Sequence, residues 1–120
     1  MNVTLDAGGL IAVERGDRRT RSRIDACDDI SIPTTALAQV WRGSTRQARL
    51  ARLLKQPKVE LVGLDEHAAL AVGQLLSLTG TSDVVDAHVA LVAGLRDGAI
   101  ITSDPTDLRR LDPRLELFVV

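Results

Sequence analysis

The chain has 120 residues, 45 % of them hydrophobic, with a formal net charge of −1. That length predicts one domain, residues 1–120, able to bury a core without metal or disulfide staples, and the apolar content excludes disorder. The lone Cys27 excludes an internal disulfide, no apolar run reaches the roughly 20 residues of a membrane span, and no secretory leader precedes the first strand-like run, so a reducing cytoplasm is the expected compartment.

Only two aromatics occur, Trp41 and Phe118, so the core is built from Leu, Val, Ile and Ala. The near-neutral total hides an uneven distribution. Of the 15 basic residues 13 are Arg, bunched in RGDRRTRSR (15–23), RGSTRQARLAR (42–52) and RRLDPR (109–114). Arginine suits bidentate phosphate contact, and solvated helix faces with ion pairs account for the same pattern.

In chain order, NVTL (2–5) predicts a strand reaching Asp6, and AGGLIAV continues with helical spacing. After the arginine-rich stretch, DISIP (29–33) predicts a second strand, and Thr34 or Thr35 is positioned to cap the helix ALAQVWRG, which stops near Gly43. STRQARLARLLKQP (44–57) has Leu50, Leu53 and Leu54 at helical spacing and ends at Pro57. KVELVGL (58–64) alternates as a strand, and DEHAALAVGQLLSLTG (65–80) is an amphipathic helix stopped by Gly80. Thr81 or Ser82 then caps DVVDAHVALVAGLRDG, AIIT (99–102) is a buried strand, DPTDLRRL (104–111) a short helix and LELFVV (115–120) a final strand. Strands alternating with helices predict an α/β domain with a mainly parallel sheet.

In such a sheet, strand C-termini and the N-termini of the following helices share one edge, where ligands bind. Asp6 follows the first strand, Asp86 lies in the first turns of a helix, and Asp104 follows AIIT. Three segments therefore deliver carboxylate to one rim. Each acid also has a structural role open to it: Asp104 before Pro105 as an N-cap, Asp107 in the first turn, Asp83 favoured at a helix N-terminus by the macrodipole, and Asp6 as a cap for AGGLIAV. Together, however, they repel one another unless a cation compensates. Oxygen-only ligands point to Mg²⁺ or Mn²⁺, because no Cys or His cluster suits zinc. His88 is two residues past Asp86, hence on another helix face, and reads as a packed or surface histidine; His67 has no partner. Acids around a cation, with arginine outside to hold a polyanion, are the parts of a nuclease.

LDAGGLIA (5–12), the TTALAQVWRG helix, SDVVDAHVALVA (82–93) and IITSDPTDLRRL (100–111) together resemble the PIN-domain ribonucleases, specifically the VapC toxins of bacterial VapBC toxin–antitoxin pairs. The resemblance covers essentially the whole chain in the right order. It implies a PIN-like three-layer α/β/α sandwich and hydrolysis of RNA by a metal-activated water. By motif, Asp6 matches the first metal-binding acid, Asp86 the third and Asp104 the last, with Asp83 and Asp107 as helpers and Ser103 expected to support Asp104 by hydrogen bonding. The departure is Gln39, which stands where the family usually has Glu. Its amide cannot supply the charge, although its carbonyl can coordinate or orient a water, and Glu14, two turns beyond Asp6, is the residue that could compensate.

The resemblance further implies a cognate VapB-type antitoxin, an RNA substrate, no membrane and a homodimer. Trp41 reads either as core or, if exposed, as part of the interface that receives an antitoxin segment near the early helices. The leading expectation is a Mg²⁺-dependent endoribonuclease toxin. A weakened PIN-fold module that binds antitoxin or RNA without cleaving is the second, and Gln39 supports it. A receiver-like phosphoacceptor is set aside, because it expects a lysine at the acidic rim and Lys55 and Lys58 lie elsewhere.

Overall fold

Five strands, β1 (Asn2–Leu5), β2 (Asp29–Pro33), β3 (Val59–Val62), β4 (Ala99–Thr102) and β5 (Leu117–Val119), pair in the order β3-β2-β1-β4-β5. The computed structural model describes every residue from Met1 to Val120. Every pairing is parallel, with Thr4 opposite Ser31 on one side and Ile100 on the other, so the sheet is wholly rather than mainly parallel. β1 and β4 are almost entirely buried and β2 is exposed only at Asp29, as expected of parallel strands covered on both faces. The edge strands β3 and β5 are only partly covered.

The helices are α1 (Ala7–Arg15), α2 (Arg18–Ala26), α3 (Thr34–Val40), α4 (Ala48–Leu54), α5 (Glu66–Thr79), α6 (Val84–Arg96) and α7 (Pro105–Leu111). The chain moves outward from β1 to β2 and β3, then crosses back through α5 and α6 to β4 on the other side of β1. Right-handed crossovers place these two runs of helices on opposite faces of the sheet. In agreement, α1 packs on α2, α3 and α4, while α6 packs on α5 and α7 and covers β1 and β2. The result is a three-layer α/β fold whose aliphatic core runs through Val3, Leu5, Ile30, Ile32, Ile100 and Ile101.

Several expected boundaries shift for local reasons. The run RGDRRTRSR is not a break between elements: Gly16, at φ 75°, ends α1 and Asp17 starts α2 by accepting the Thr20 N–H at 2.9 Å and its hydroxyl at 2.7 Å. A strongly cationic helix with few apolar residues has little hydrophobic periodicity to read. The segment expected to be helical over 44–57 divides into a 3-10 turn (Thr45–Gln47) and the shorter α4. Gln47 causes the division, because its buried side chain donates to the Val40 carbonyl at 2.8 Å and accepts from Arg42 N–H at 2.8 Å, closing the preceding loop.

The caps differ too. Asp83, not Thr81 or Ser82, caps α6 by accepting the Asp86 N–H at 3.0 Å. Neither Thr34 nor Thr35 caps α3, which begins after Pro33 without a side-chain cap. The Thr35 hydroxyl bonds His88 Nδ1 at 2.7 Å instead, joining α3 to α6. His88 is fully buried, and that burial holds its imidazole below the usual histidine range. Thr35→Val should therefore leave a buried ring nitrogen unpaired and lower stability by about 1–3 kcal/mol, whereas Thr35→Ser should keep most of it; equilibrium urea denaturation of the two variants checks this.

Trp41 is 39 % exposed at the end of α3, where Arg42 donates to the Trp41 carbonyl at 2.8 Å and the Gln39 carbonyl at 3.0 Å. It is therefore not a core residue. The other aromatic, Phe118, lies under the Arg23 guanidinium, 3.9 Å from the ring centroid, a cation–π contact that ties β5 to α2.

Candidate metal centre

β1 and β4 are neighbours, yet the chain leaves them in opposite directions, toward β2 after the first and β5 after the second. Such a switch point opens a crevice at the strand C-termini. Asp6 follows β1 at this crevice and Thr102, Ser103 and Asp104 close β4 there.

Asp6 is 6 % exposed and caps α1, its Oδ1 accepting the Gly9 N–H at 2.9 Å. Its own N–H donates to the Ile101 carbonyl at 3.3 Å. Burial raises its pKa from the ordinary aspartate value, the Asp104 charge adds to the rise, and the Thr102 hydroxyl with the Gly9 and Gly8 N–H groups opposes it. The close approach of α1 to β4 depends on glycine. A Cβ on Gly8 would collide with the Ser103 hydroxyl and stand 2.7 Å from its backbone nitrogen, and one on Gly9 would stand 2.6 Å from the Ile101 carbonyl oxygen.

Asp86, Asp104 and Asp107 each offer a carboxylate oxygen, and these oxygens lie within 4.8 Å of one another. Asp86 comes from the first turn of α6, and Asp104 and Asp107 from the start of α7. Asp86 is half-buried and its pKa is pushed up to about 6, first by burial and then by the charges of Asp83, Asp107, Asp104 and Asp6. Asp104 is also raised, chiefly by a hydrogen bond with Asp107. A cavity of about 290 Å³ opens beside the cluster, lined by Asp83, Asp86 and Asp107 with Ser82 and Arg110.

The sequence-predicted residues are thus placed as follows. Asp86 and Asp104 share the tight cluster. Asp6 lies outside it but near enough for its charge to act on Asp86, and Asp83 borders the adjoining cavity while its Oδ1 serves as the α6 cap. Asp107, expected only as a helper, is the third member of the cluster. Gln39 is exposed near the end of α3, and its backbone carbonyl is what Arg42 holds. Glu14 is at the far end of α1 from Asp6, about 12 Å away along a helix rising 1.5 Å per residue, and does not join the group. Ser103 does not bond Asp104; the buried Thr102 does, its hydroxyl accepting the Asp104 N–H at 2.9 Å. Thr102, Gly8 and Gly9 carry no role in the sequence reading, although paired glycines opening a helix are a recognisable sign of close backbone approach.

All the candidate ligands are carboxylates in a half-exposed crevice. An all-oxygen set of this kind fits a divalent cation.

Among curated proteins no sequence matches the chain. Among solved structures, VapBC2 from Rickettsia felis bound to a promoter DNA fragment is similar at TM-score 0.74 and 17 % identity, covering 100 % of this chain and 99 % of that one. A toxin–antitoxin complex from Klebsiella pneumoniae gives TM-score 0.69 and 18 % identity over 88 % of each chain. VapBC-5 from Mycobacterium tuberculosis gives 0.56 and 23 % identity, covering 99 % and 97 %. These likenesses share the fold, and the family model for the PIN domain matches residues 3–112. With that match spanning both β1 and α7, the chain belongs to the PIN-domain family.

Proposed function

We propose that this protein is a VapC-type toxin, a Mg²⁺- or Mn²⁺-dependent endoribonuclease that hydrolyses RNA phosphodiester bonds and is neutralised in the cytoplasm by a VapB-type antitoxin. The observation that carries the reading is the convergence of Asp86, Asp104 and Asp107, oxygens within 4.8 Å, at the switch point of the sheet. Burial first, and then repulsion from the neighbouring acids, push the Asp86 pKa up to about 6, and a bound divalent cation would relieve that repulsion.

In this reading Asp86, Asp104 and Asp107 hold the cation, with Asp6 beside them and Asp83 as helper. A bound Mg²⁺ supplies charge neutralisation at the phosphate and a nucleophilic water. The protein's own contribution is positional. The Gly9 N–H fixes the Asp6 carboxylate, the Thr102 hydroxyl fixes the Asp104 backbone, and the Asp83 cap fixes the start of the helix that carries Asp86. Gln39 would act through its carbonyl or by orienting a water. In the similar complexes toxins stand with antitoxins, which supports a VapB-type partner. Leu70 and Leu78 on α5 and Leu95 on α6 are exposed, which supports a homodimer that covers them.

The test is cleavage of a mixed RNA pool by purified protein with Mg²⁺ or Mn²⁺, beside an EDTA control and Asp86→Asn. Metal-dependent cleavage absent from the variant supports the reading. Gln39→Glu, which restores a further negative charge, should tighten metal binding and raise the cleavage rate about tenfold, within the usual range for one electrostatic contact at a metal site, measured as a metal titration of rate. No cleavage by a folded, metal-loaded protein would favour the second reading, a module that binds antitoxin or RNA without cutting, for which Gln39 is the specific observation. Harmless overexpression and a well-behaved monomer without antitoxin would also count against the toxin.

A further inference from the structure

Two arginine runs that lie apart in sequence meet in the fold. Arg18 and Arg21 from α2 and Arg49 and Arg52 from α4, each pair three residues apart and hence on one helix face, line a single cavity of about 280 Å³ at the C-terminal end of α1. Little opposes their charge. Asp17, the acid in the lining, is engaged by the Thr20 N–H and hydroxyl. Arg21 reaches Asp25 only at 3.9 Å, both exposed, and Arg18, Arg49 and Arg52 have no ion pair. Arg49 instead lies against Gly16 and touches the Glu14 carbonyl at 3.4 Å. Four exposed guanidinium groups around one cavity give it a positive potential that favours an anion.

We propose that this cavity is an anion site that takes a backbone phosphate of single-stranded RNA, at a distance from the bond that is cut. The guanidinium fork matches phosphate in bidentate geometry. Arg15 and Arg19, beside the cavity-lining Gly16 and Arg18 in sequence, are exposed as well, which suits a polyanion better than one carboxylate. No aromatic residue lines the cavity, so the contact is sequence-blind, without base stacking. α1 connects the two places: Asp6 caps its start at the acidic centre and Gly16 caps its end at the cavity, about 15 Å apart at 1.5 Å per residue. A strand of a few nucleotides reaches both. The identity of the polyanion rests on the nuclease reading; the anion site does not.

The experiment measures binding without cleavage. Asp86→Asn protein in EDTA is titrated into a fluorescein-labelled uridylate oligomer of about a dozen nucleotides, followed by anisotropy over about 50 to 200 mM salt. Adding Arg49→Ala and Arg52→Ala should weaken binding about tenfold or more and reduce the salt slope by about 0.7 for each phosphate no longer neutralised. The Arg49→Lys, Arg52→Lys pair, which keeps the charge, should recover most of the slope. In the otherwise wild-type enzyme the alanine pair should raise KM for the oligomer and leave cleavage of a dinucleotide unchanged. Unchanged affinity and slope in a folded alanine pair would overturn the site. So would a poly-glutamate peptide that binds through Arg49 and Arg52 more tightly than the oligomer, since the cavity would then recognise acidic protein. Failure of the nuclease reading is seen separately, as no cleavage of the RNA pool by the folded, metal-loaded wild-type protein.

Discussion

Asp86→Asn should abolish cleavage and at the same time stabilise the metal-free protein above about pH 6, the value to which the Asp86 pKa is pushed from 3.8 in the folded chain. The native state therefore holds this proton more tightly than the unfolded state. Stability is greatest below the unfolded pKa, falls as pH rises between about 4 and 6, and stays low above that. The full shift corresponds to about 3 kcal/mol, and discounting for the partial solvation of the carboxyl leaves about 1–2 kcal/mol. Asparagine keeps the shape and removes the charge. The variant should thus melt on the order of 5 °C higher than wild type at about pH 7.5 in EDTA and match it near pH 4. Adding Mg²⁺ or Mn²⁺ should raise the wild-type melting temperature, because the cation binds only the folded state, and leave the variant nearly unmoved. A variant that melts like wild type at both pH values would show that the carboxylates do not repel as described.

Gly8→Ala should destabilise the fold by about 1–3 kcal/mol, as other overpacked sites do, and lower cleavage far more than that loss of folded protein explains. The added methyl would meet Ser103, including its backbone nitrogen at 2.7 Å. The strain can relax only if the first turn of α1 moves off β4. That turn carries Asp6, proposed above to sit beside the cation, and a displacement of about 1 Å at such a group can cost on the order of a hundredfold in rate. Melting temperature and RNA cleavage measured on the same preparation separate the two effects. Equal fractional losses in both would mean that Gly8 serves packing alone. Gly8→Ser, which adds a hydroxyl to the same collision, should be worse than alanine in both measurements.

The alternation of strands and helices was legible because each strand is short, apolar and punctuated: NVTL, DISIP and AIIT all form strands over the expected residues. Two places were harder to read. α2 is helical because of its caps, Asp17 before it and the Lys58 amine donating to the Ile24 and Cys27 carbonyls after it, and the second of these comes from the approach to a distant strand that no local pattern announces. In the acidic centre the sequence indicates which acids reach the rim, because strand ends and helix starts share it. It does not indicate which of them close to within 4.8 Å. Asp107 enters the cluster because it is one turn beyond Asp104 on α7, with its carboxylate within reach of Asp86 on α6. Asp83 spends an oxygen on its own helix end. Those choices depend on the packing of α6 against α7, which is a tertiary contact.

The strand order has a consequence for how the chain is made. β1, the first of the five strands, sits in the middle of the sheet and needs β4 as a neighbour, and Asp104 and Asp107 follow β4. No nascent fragment that ends before Asp107 can assemble the acidic cluster. The centre therefore waits for every segment from β1 to α7, so the order of the strands delays the nuclease proposed here until all the residues up to Asp107 have been made.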